Sequence, residues 1–281
     1  MPVGGYNERQ IYLVMIVSSK QRRTSRAAEL FSSPGCPIVV GRAHELGLVE
    51  RFLDDQTEPV LVISGEAGIG KSRLVSEASG RAFGRGLRVL HGTCFEPDRS
   101  LPYAPLIDLL REEFVSGTSV GENPLVQAST VALRQLLPEM TASFPLRDPA
   151  SASEPAQHQK QVFYELLDLF VALSRDRPLL LIFEDLHWSD ETSLEFLAYL
   201  ARHAADEPIR LLLSFRSDEP QVNLSHIIAG LQRERIAREL VLGRLTRDNV
   251  TLMVEAILGA TRPPRELLDA LFCLTEGNPF F

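Results

Sequence analysis

Short apolar runs alternate with longer amphipathic stretches from about residue 37 onward. Most of the apolar runs are continuous rather than alternating, which is typical of parallel strands that are covered on both faces. Between them, apolar residues recur at helical spacing, as in the stripe that includes Val162, Leu166 and Leu173. This alternation predicts an α/β fold in which helices sandwich a parallel five-stranded sheet. The predicted strands are residues 60–64, 88–92, 179–183, 210–215 and 239–242.

The pattern is less regular over residues 97–157, where prolines are frequent. We expect a helical insertion in this stretch, with a mobile segment around residues 147–157, where Pro, Ser and Ala cluster.

Strand signals stop after Gly243, and two further helices are predicted. Thr246 can cap the first helix and Gly259 can end it. The second helix is expected to begin near Pro263 and Pro264 and to turn its leucines inward. These leucines are Leu267, Leu268, Leu271 and Leu274.

The chain is therefore expected to have three parts. Residues 1–36 form a loosely ordered N-terminal tail, because they carry no clear periodic pattern. Residues 37–243 form the core, which includes the insertion. Residues 244–281 form a small helical lid that is incomplete at its C-terminus.

Residues 65–72 match the phosphate-binding pattern G-x-x-x-x-G-K-[ST], known as the P-loop. An apolar strand precedes them and a helical pattern follows, which is the context that this motif requires. Glycines let backbone amides approach phosphate oxygens, and the helix N-terminus adds positive partial charge. Lys71 is expected to contact the β- and γ-phosphates of ATP, and the Ser72 hydroxyl to bind Mg²⁺. The residues predicted to bind nucleotide here are Gly65, Glu66, Ala67, Gly68, Ile69, Gly70, Lys71, Ser72 and Arg73.

Glu184 and Asp185 directly follow the apolar strand at residues 179–183. Beside a P-loop, one such carboxylate holds Mg²⁺ and the next orients or deprotonates the attacking water. We assign the metal, held through water, to Glu184 and the water to Asp185. Many ATPases of this kind have Asp first and Glu second. The reversed order predicts slow hydrolysis, because the shorter base falls short of the reach that proton transfer needs.

Arg216 ends the next predicted strand, at the sheet edge where ligands bind in open α/β folds. It is predicted to sense the γ-phosphate and is assigned with the catalytic residues. The alternative is a surface arginine that pairs with Asp218 or Glu219. His187 and Trp188 either pack beside the phosphate site or anchor the start of a helix, and the sequence does not decide between these roles.

The formal net charge of −8 argues against direct nucleic-acid binding, since neutralising phosphates requires a basic face. No apolar run approaches the roughly 18 residues that a membrane span needs, and no signal peptide is recognisable. The three cysteines are far apart and lack metal-ligand spacing. We interpret them as reduced thiols of a cytoplasmic protein.

Taken in order, these motifs resemble the ATPase domain of the signal-transducing (STAND) branch of AAA+-type P-loop proteins. The likeness is greatest to the ATPase modules of large LuxR-type transcriptional regulators and of some adenylate-cyclase-linked proteins. It runs from Val-Gly-Arg at residues 40–42, through FEDLHWSD at 183–190 and SFRSDE at 214–219, to EGNPFF at 276–281.

The resemblance implies further site residues. Gly41 and Arg42 correspond to a motif beside the adenine, and Pro279 belongs to a Gly-Asn-Pro element that contacts nucleotide in the family. Family members usually continue into a winged helix and further domains. We therefore expect this chain to be a truncated piece whose downstream partner domains lie outside it. Nucleotide-dependent self-association is a further hypothesis.

The favoured hypothesis is a regulatory ATPase module in which ATP and ADP, with Mg²⁺, switch the contacts of the lid and a partner domain. A second hypothesis is a nucleic-acid-loading ATPase of origin-recognition type. A third is an inactive remnant. A small-molecule kinase is disfavoured, because the Glu184–Asp185 pair followed by Leu-His-Trp and the arginine at the next strand end favour hydrolysis over phosphoryl transfer to a metabolite.

Overall fold

The computed structural model describes residues 36–54, 57–116, 136–137, 155–219, 221–259 and 263–280. Its centre is a sheet of five parallel strands in the order β2-β3-β4-β1-β5. The strands are β1 Val60–Gly65, β2 Arg88–Thr93, β3 Leu179–Glu184, β4 Ile209–Arg216 and β5 Ala237–Val241.

Helices cover both faces of this sheet. The described helices are α1 Ala43–Asp54, α2 Lys71–Gly84, α3 Ala104–Ser116, α4 Pro155–Ser174, α5 Glu191–Ala204, α6 Val222–Arg233, α7 Arg247–Leu258 and α8 Arg265–Thr275. Side chains of α1 and α2 form one apolar cluster with one face of the sheet, and side chains of α3 to α6 form a second cluster with the other. The predicted α/β fold with a sandwiched, parallel five-stranded sheet is therefore confirmed.

The continuous apolar runs become strands because both of their faces are buried. Every residue of β1 and of β3 is buried. Successive side chains point to opposite faces, so Leu61 and Ile63 join the cluster of α1 and α2, while Val60 and Val62 join the other. A strand with one exposed face would have shown alternation instead.

The strand order determines which side chains meet at the carboxyl edge of the sheet. β4 lies between β1 and β3, so Arg216 pairs in register with Gly65 at the start of the P-loop. On the other side of β3, Thr93 lies opposite Glu184. Chain separation alone does not reveal these pairings.

The predicted insertion is described only in part. Within it, residues 104–116 form α3, whereas residues 117–135 and 138–154 lie outside the described residues. Of the segment expected to be mobile, residues 147–154 are not described and residues 155–157 form the first turn of α4. Proline is well tolerated there, because the first turn of a helix does not need its N–H groups. Of the predicted tail, only Cys36 is described.

The two helices that follow β5 have the predicted ends but not the predicted burial. Thr246 caps α7 by accepting a hydrogen bond from the Asn249 amide, and Gly259 ends it in the left-handed conformation. In α8, Leu268 is buried, but Leu267 is 46% and Leu274 is 82% exposed. The expectation that all these leucines face inward was wrong, because α8 packs on α7 and side chains that point away from this contact remain in solvent.

No helix in the described part of the chain is both long and apolar enough to cross a membrane.

Candidate functional site

The P-loop connects the end of β1 to the start of α2 at Lys71. Gly68 and Gly70 have positive φ angles of 73° and 102°, which L-residues with side chains rarely adopt. A Cβ at Gly68 would also lie 2.5 Å from the Cβ of Phe280. Glycine is therefore required at Gly68 both for the turn and for the close approach of the C-terminal segment.

Lys71 is buried at the base of this loop. Its Nζ donates to the carbonyl oxygens of Gly65 and Glu66 at 3.0 and 2.9 Å. Burial lowers the pKa of Lys71, and the nearby Arg216 lowers it further, while Asp185 opposes the shift. The ammonium group thus lies beneath the loop, among the charged side chains of the neighbouring strand ends.

Glu184 ends β3 and is buried between two polar side chains. His91 Nε2, from β2, lies 2.9 Å from Glu184 Oε1, and the Ser72 hydroxyl hydrogen-bonds to the same carboxylate. Burial disfavours the charge, but His91, Ser72 and the charge of Lys71 outweigh it and hold the pKa of Glu184 below its usual value. Ser72 and Glu184, the two predicted Mg²⁺ ligands, are therefore in contact, and both offer the hard oxygen atoms that Mg²⁺ prefers.

Asp185 follows with a left-handed backbone (φ 59°), an uncommon conformation for a residue other than glycine. Its amide donates to Ser214 Oγ of β4 at 3.4 Å. Burial and the neighbouring Glu184 charge raise the pKa of Asp185, while Arg216 and Lys71 oppose the shift. The pKa values of the two adjacent carboxyl groups thus shift in opposite directions. Glu184 ionises easily, whereas Asp185 retains its proton more readily.

Arg216 lies at the end of β4, beside the P-loop. Its Nη1 is 2.6 Å from Glu219 Oε1, and its guanidinium carbon lies 4.9 Å from the centre of the Trp188 ring. The next residue, Ser217, donates its amide to the Gly65 carbonyl at 3.2 Å. Arg216 thus forms the ion pair with Glu219 that was the alternative to γ-phosphate sensing. It also lies close enough to Lys71 to affect the pKa of that lysine.

His187 occupies the short 3-10 turn after Asp185 and is 1% exposed. Its Nδ1 lies 3.9 Å from Asp185 Oδ1 and its Nε2 lies 3.8 Å from Glu219 Oε2, both too long for hydrogen bonds. No described residue hydrogen-bonds to either ring nitrogen. Burial lowers the pKa of His187 to about 4, so the ring is neutral at neutral pH.

The segment after α8 contacts the P-loop directly. Asn278 is buried and donates its Nδ2 to the Ala67 carbonyl at 3.0 Å, and its Oδ1 accepts from the Phe280 amide. The Gly277 carbonyl accepts from the Leu245 amide at 2.8 Å. Pro279, the predicted nucleotide contact in this segment, is half-buried next to Asn278.

The remaining predicted residues join segments of the chain to one another. The buried Arg42 donates to the carbonyls of Ile69 and Gly243 at 3.1 and 2.7 Å and pairs with Glu45. A Cβ at Gly41 would lie 2.4 Å from Asn249 Nδ2 at the start of α7. Arg42 therefore ties the P-loop to the beginning of the segment that carries α7 and α8.

Arg73 is exposed on α2 and donates to the Pro37 carbonyl at 3.4 Å. Glu66, on the loop itself, pairs with Arg244, whose guanidinium also contacts Glu276 at the end of α8. These contacts again link the P-loop to the C-terminal segment.

Sequence reasoning did not single out His91, Ser214 or Asn278 as site residues in their own right. His91 and Ser214 lie on strands that flank β3, and only the strand order brings them to the acidic pair. Asn278 sits in the EGNPFF motif, but its bond to Ala67 joins residues 211 positions apart. The signal available in the sequence was a polar residue at the end of an apolar strand, which is weak by itself.

Comparison with known proteins gives a family match. The sequence profile described as "AAA ATPase domain" matches residues 38–213. An uncharacterized protein of Rhizobium meliloti (strain 1021) is 29% identical over 273 residues, which cover 89% of this chain and 25% of that protein. The chain thus spans about a quarter of the length of this relative.

Solved structures match at lower identity. Cdc6p from Pyrobaculum aerophilum superposes with a TM-score of 0.50 and 12% identity, over 84% of this chain and 54% of that chain. A signal transduction ATPase (STAND) with a tetratricopeptide repeat sensor, from Pyrococcus horikoshii, gives a TM-score of 0.46 and 15% identity, over 86% and 28%. At 12% identity, the likeness to Cdc6p concerns the fold alone.

Proposed function

The chain belongs to the family of AAA ATPase domains, and on that premise we propose that it is an ATP-binding regulatory module that hydrolyses ATP slowly. The sequence-based expectation of an AAA+-type P-loop ATPase domain is confirmed by the family match and the fold. The STAND assignment, the link to a transcriptional or signalling regulator and the cytoplasmic location form part of this proposal.

One observation carries the proposal. A glycine-rich loop with Lys71 at its base lies at the same sheet edge as Glu184 and Asp185, although more than 110 residues separate them in the chain. The loop amides, Lys71 and the α2 N-terminus would receive the phosphates. Ser72 and Glu184 would hold Mg²⁺, which would supply charge neutralisation between the β- and γ-phosphates.

Slow hydrolysis follows from the carboxylate of Asp185, which would orient or deprotonate the attacking water. Asp185 has a shorter side chain than the glutamate usual at this position, so it reaches less far toward the attacking water. Ser214 and the left-handed backbone fix its position. We expect turnover below about one ATP per second, at the low end of enzymatic rates.

A switching role is supported by the contacts between the P-loop and the C-terminal segment. Asn278 hydrogen-bonds to Ala67 and Arg244 pairs with Glu66, both on the P-loop. A shift of the loop on phosphate binding would therefore displace α7 and α8. We retain residues 37–243 as the core and 244–281 as the lid on this basis. Gly41, Arg42 and Pro279 would line the nucleotide at the junction of the two, and downstream domains of a longer protein would read the change.

Calorimetric titration with Mg-ATP and Mg-ADP tests the proposal. The parent chain should bind both, and Lys71→Ala should weaken binding by at least about tenfold, because a charge-assisted contact to phosphate is lost. Lys160→Ala removes an exposed lysine on α4 and should leave both affinities unchanged. Absence of binding by the folded parent chain, or unchanged binding in Lys71→Ala, would refute the proposal.

A steady-state phosphate-release assay tests the rate. A turnover well above one per second on the purified chain would contradict the assignment of a short, poorly reaching base.

A further inference from the structure

Arg216 is held by two partners on the rim of the proposed site. Glu219 pairs with one end of its guanidinium at 2.6 Å, and the Trp188 ring lies 4.9 Å from its centre. The arginine and the glutamate are 29% and 44% exposed, so solvent and solutes reach this pair. Such a partly exposed ion pair contributes little to stability, and a competing anion can therefore exchange with Glu219.

The position of Arg216 makes a phosphate the relevant competitor. Register pairing with Gly65 and the Ser217–Gly65 hydrogen bond fix the base of Arg216 beside the first residue of the P-loop. Lys71 lies close enough for its pKa to be affected by Arg216. The γ-phosphate, when bound by Lys71, would therefore attract the Arg216 guanidinium away from Glu219.

Glu219 has a second donor within reach. Its Oε2 lies 3.8 Å from Nε2 of the buried His187, and this nitrogen makes no hydrogen bond with any residue that the structure describes. An unpartnered buried ring nitrogen is costly, and a shift of less than about 1 Å would close this gap to a normal hydrogen bond. Loss of the Arg216 pair would therefore be offset by a new bond between Glu219 and His187.

We propose that Glu219 is a specificity-determining residue, which competes with the γ-phosphate for Arg216 and so sets the preference of the site for ATP over ADP. This inference rests on the proposed nucleotide-binding function. In it, ATP exchanges the Arg216–Glu219 pair for an Arg216–phosphate contact and a Glu219–His187 bond. ADP lacks the third phosphate and leaves the Arg216–Glu219 pair in place.

The binding test uses the full 281-residue chain, Mg²⁺, ADP and the non-hydrolysable analogue AMPPCP. Glu219→Gln should raise the ratio of the ADP dissociation constant to the AMPPCP dissociation constant by roughly two- to fivefold, the range of one exposed ion pair. The ADP constant itself should stay within about twofold. Glu234→Gln is the matched control, because it weakens an equivalent exposed pair with Arg202, outside the site, and it should leave the ratio unchanged.

Arg216→Ala supplies the second arm. In that background Glu219→Gln should have no effect on the ratio, because the competitor has lost its target. A ratio that is unchanged by Glu219→Gln, or that rises equally with and without Arg216, would overturn the proposal while leaving the proposed function intact. A folded parent chain that binds neither nucleotide would overturn both.

Trp188 supplies a readout that does not depend on affinity or turnover. It is the only tryptophan of the chain, so excitation at about 295 nm reports on its ring alone. AMPPCP should change its emission as Arg216 leaves the ring, ADP should change it much less, and Arg216→Ala should abolish the difference. Equal changes with both nucleotides, at saturation, would contradict the exchange.

Discussion

Helices α5 and α8 have similar amphipathic sequences but very different surroundings. In α5, eight residues are buried between the sheet and its neighbours, whereas Leu268 is the only buried residue among those of α8. In α7, likewise, Val250 alone is buried. A helical apolar stripe therefore predicts that a helix forms, but the depth of its burial depends on how many layers the fold places around it.

The described contacts between the proposed lid, residues 244–281, and the P-loop lie near the ends of the lid. Leu245 and Gly277 bond to each other, Asn278 bonds to the P-loop, and Arg42 bonds to Gly243. Few buried apolar contacts and several polar end contacts are the features of an element that opens at low free-energy cost. On the proposed function, we therefore expect the sheet core to supply stability and the lid to respond to nucleotide.

The largest expected effect comes from replacing a leucine by alanine in the sheet core and, for comparison, in α8. Leu212→Ala removes a fully buried side chain of β4 and should lower the free energy of unfolding by about 3 kcal/mol, since it leaves a cavity in a packed core. Leu274→Ala removes an 82% exposed side chain of α8 and should change it by less than about 0.5 kcal/mol. Urea unfolding monitored by circular dichroism measures both.

The same two variants can also contradict the expected difference in burial between the core and α8. If Leu274→Ala costs as much as Leu212→Ala, then α8 is covered in solution by a contact that the exposure of Leu274 does not reveal. A dependence of that cost on protein concentration would identify the contact as self-association.

Much of the core was predictable because its signals are local. Apolar runs, most of them continuous, identified five strands, and the G-x-x-x-x-G-K-S pattern at 65–72 placed the turn between β1 and α2. Glu184 and Asp185 were placed at a strand end because they follow an apolar run directly. These features depend on backbone preferences and burial within about ten residues, which the sequence displays.

The contacts around the acidic pair were not predictable, because they depend on strand order. His91 reaches Glu184 only because β2 is the neighbour of β3, and Ser214 reaches Asp185 only because β4 is the other neighbour. The exposure of Leu274 was not predictable for the same reason. An apolar residue at helical spacing has the same sequence pattern whether or not another element of the fold covers it. Tertiary arrangement decided each of these cases.

A smaller effect is expected from pH, and it belongs to the core. Burial lowers the pKa of His187 to about 4, below its ordinary value of 6.5. Between these pH values the folded protein binds fewer protons at this ring than the unfolded chain does. Stability from this group is therefore complete above about pH 6.5 and is lost as the pH falls toward 4, by about 2.5 kcal/mol between pH 7.5 and 4.5.

The check is the free energy of unfolding at pH 7.5 and 4.5 for the parent chain, His187→Gln and His203→Gln. The His187 variant should lose part of the pH dependence, whereas the variant of the exposed His203 should retain it. Identical pH dependence in all three proteins would show that the His187 ring is not kept neutral by burial.

The smallest expected effect concerns the end contacts of the lid. Gly259 and Gly277 both have left-handed backbones, with φ angles of 66° and 82°, so replacing either by alanine should cost about 1 kcal/mol locally. Of the two, Gly277 is the one at which the new Cβ would also collide, 2.2 Å from the Leu245 carbonyl oxygen, whereas at Gly259 no atom of the described residues lies within 4 Å.

Gly277→Ala should therefore cost about 1 kcal/mol more than Gly259→Ala. Hydrogen exchange of peptides from residues 244–259 and 263–280 measures the difference, and the strands of the core should keep their protection in both variants. If Gly277→Ala exposed β1 and β3 as much as it exposed α8, the lid and the core would open as one unit. In that case the lid could not respond to nucleotide separately from the sheet on which the nucleotide is proposed to bind.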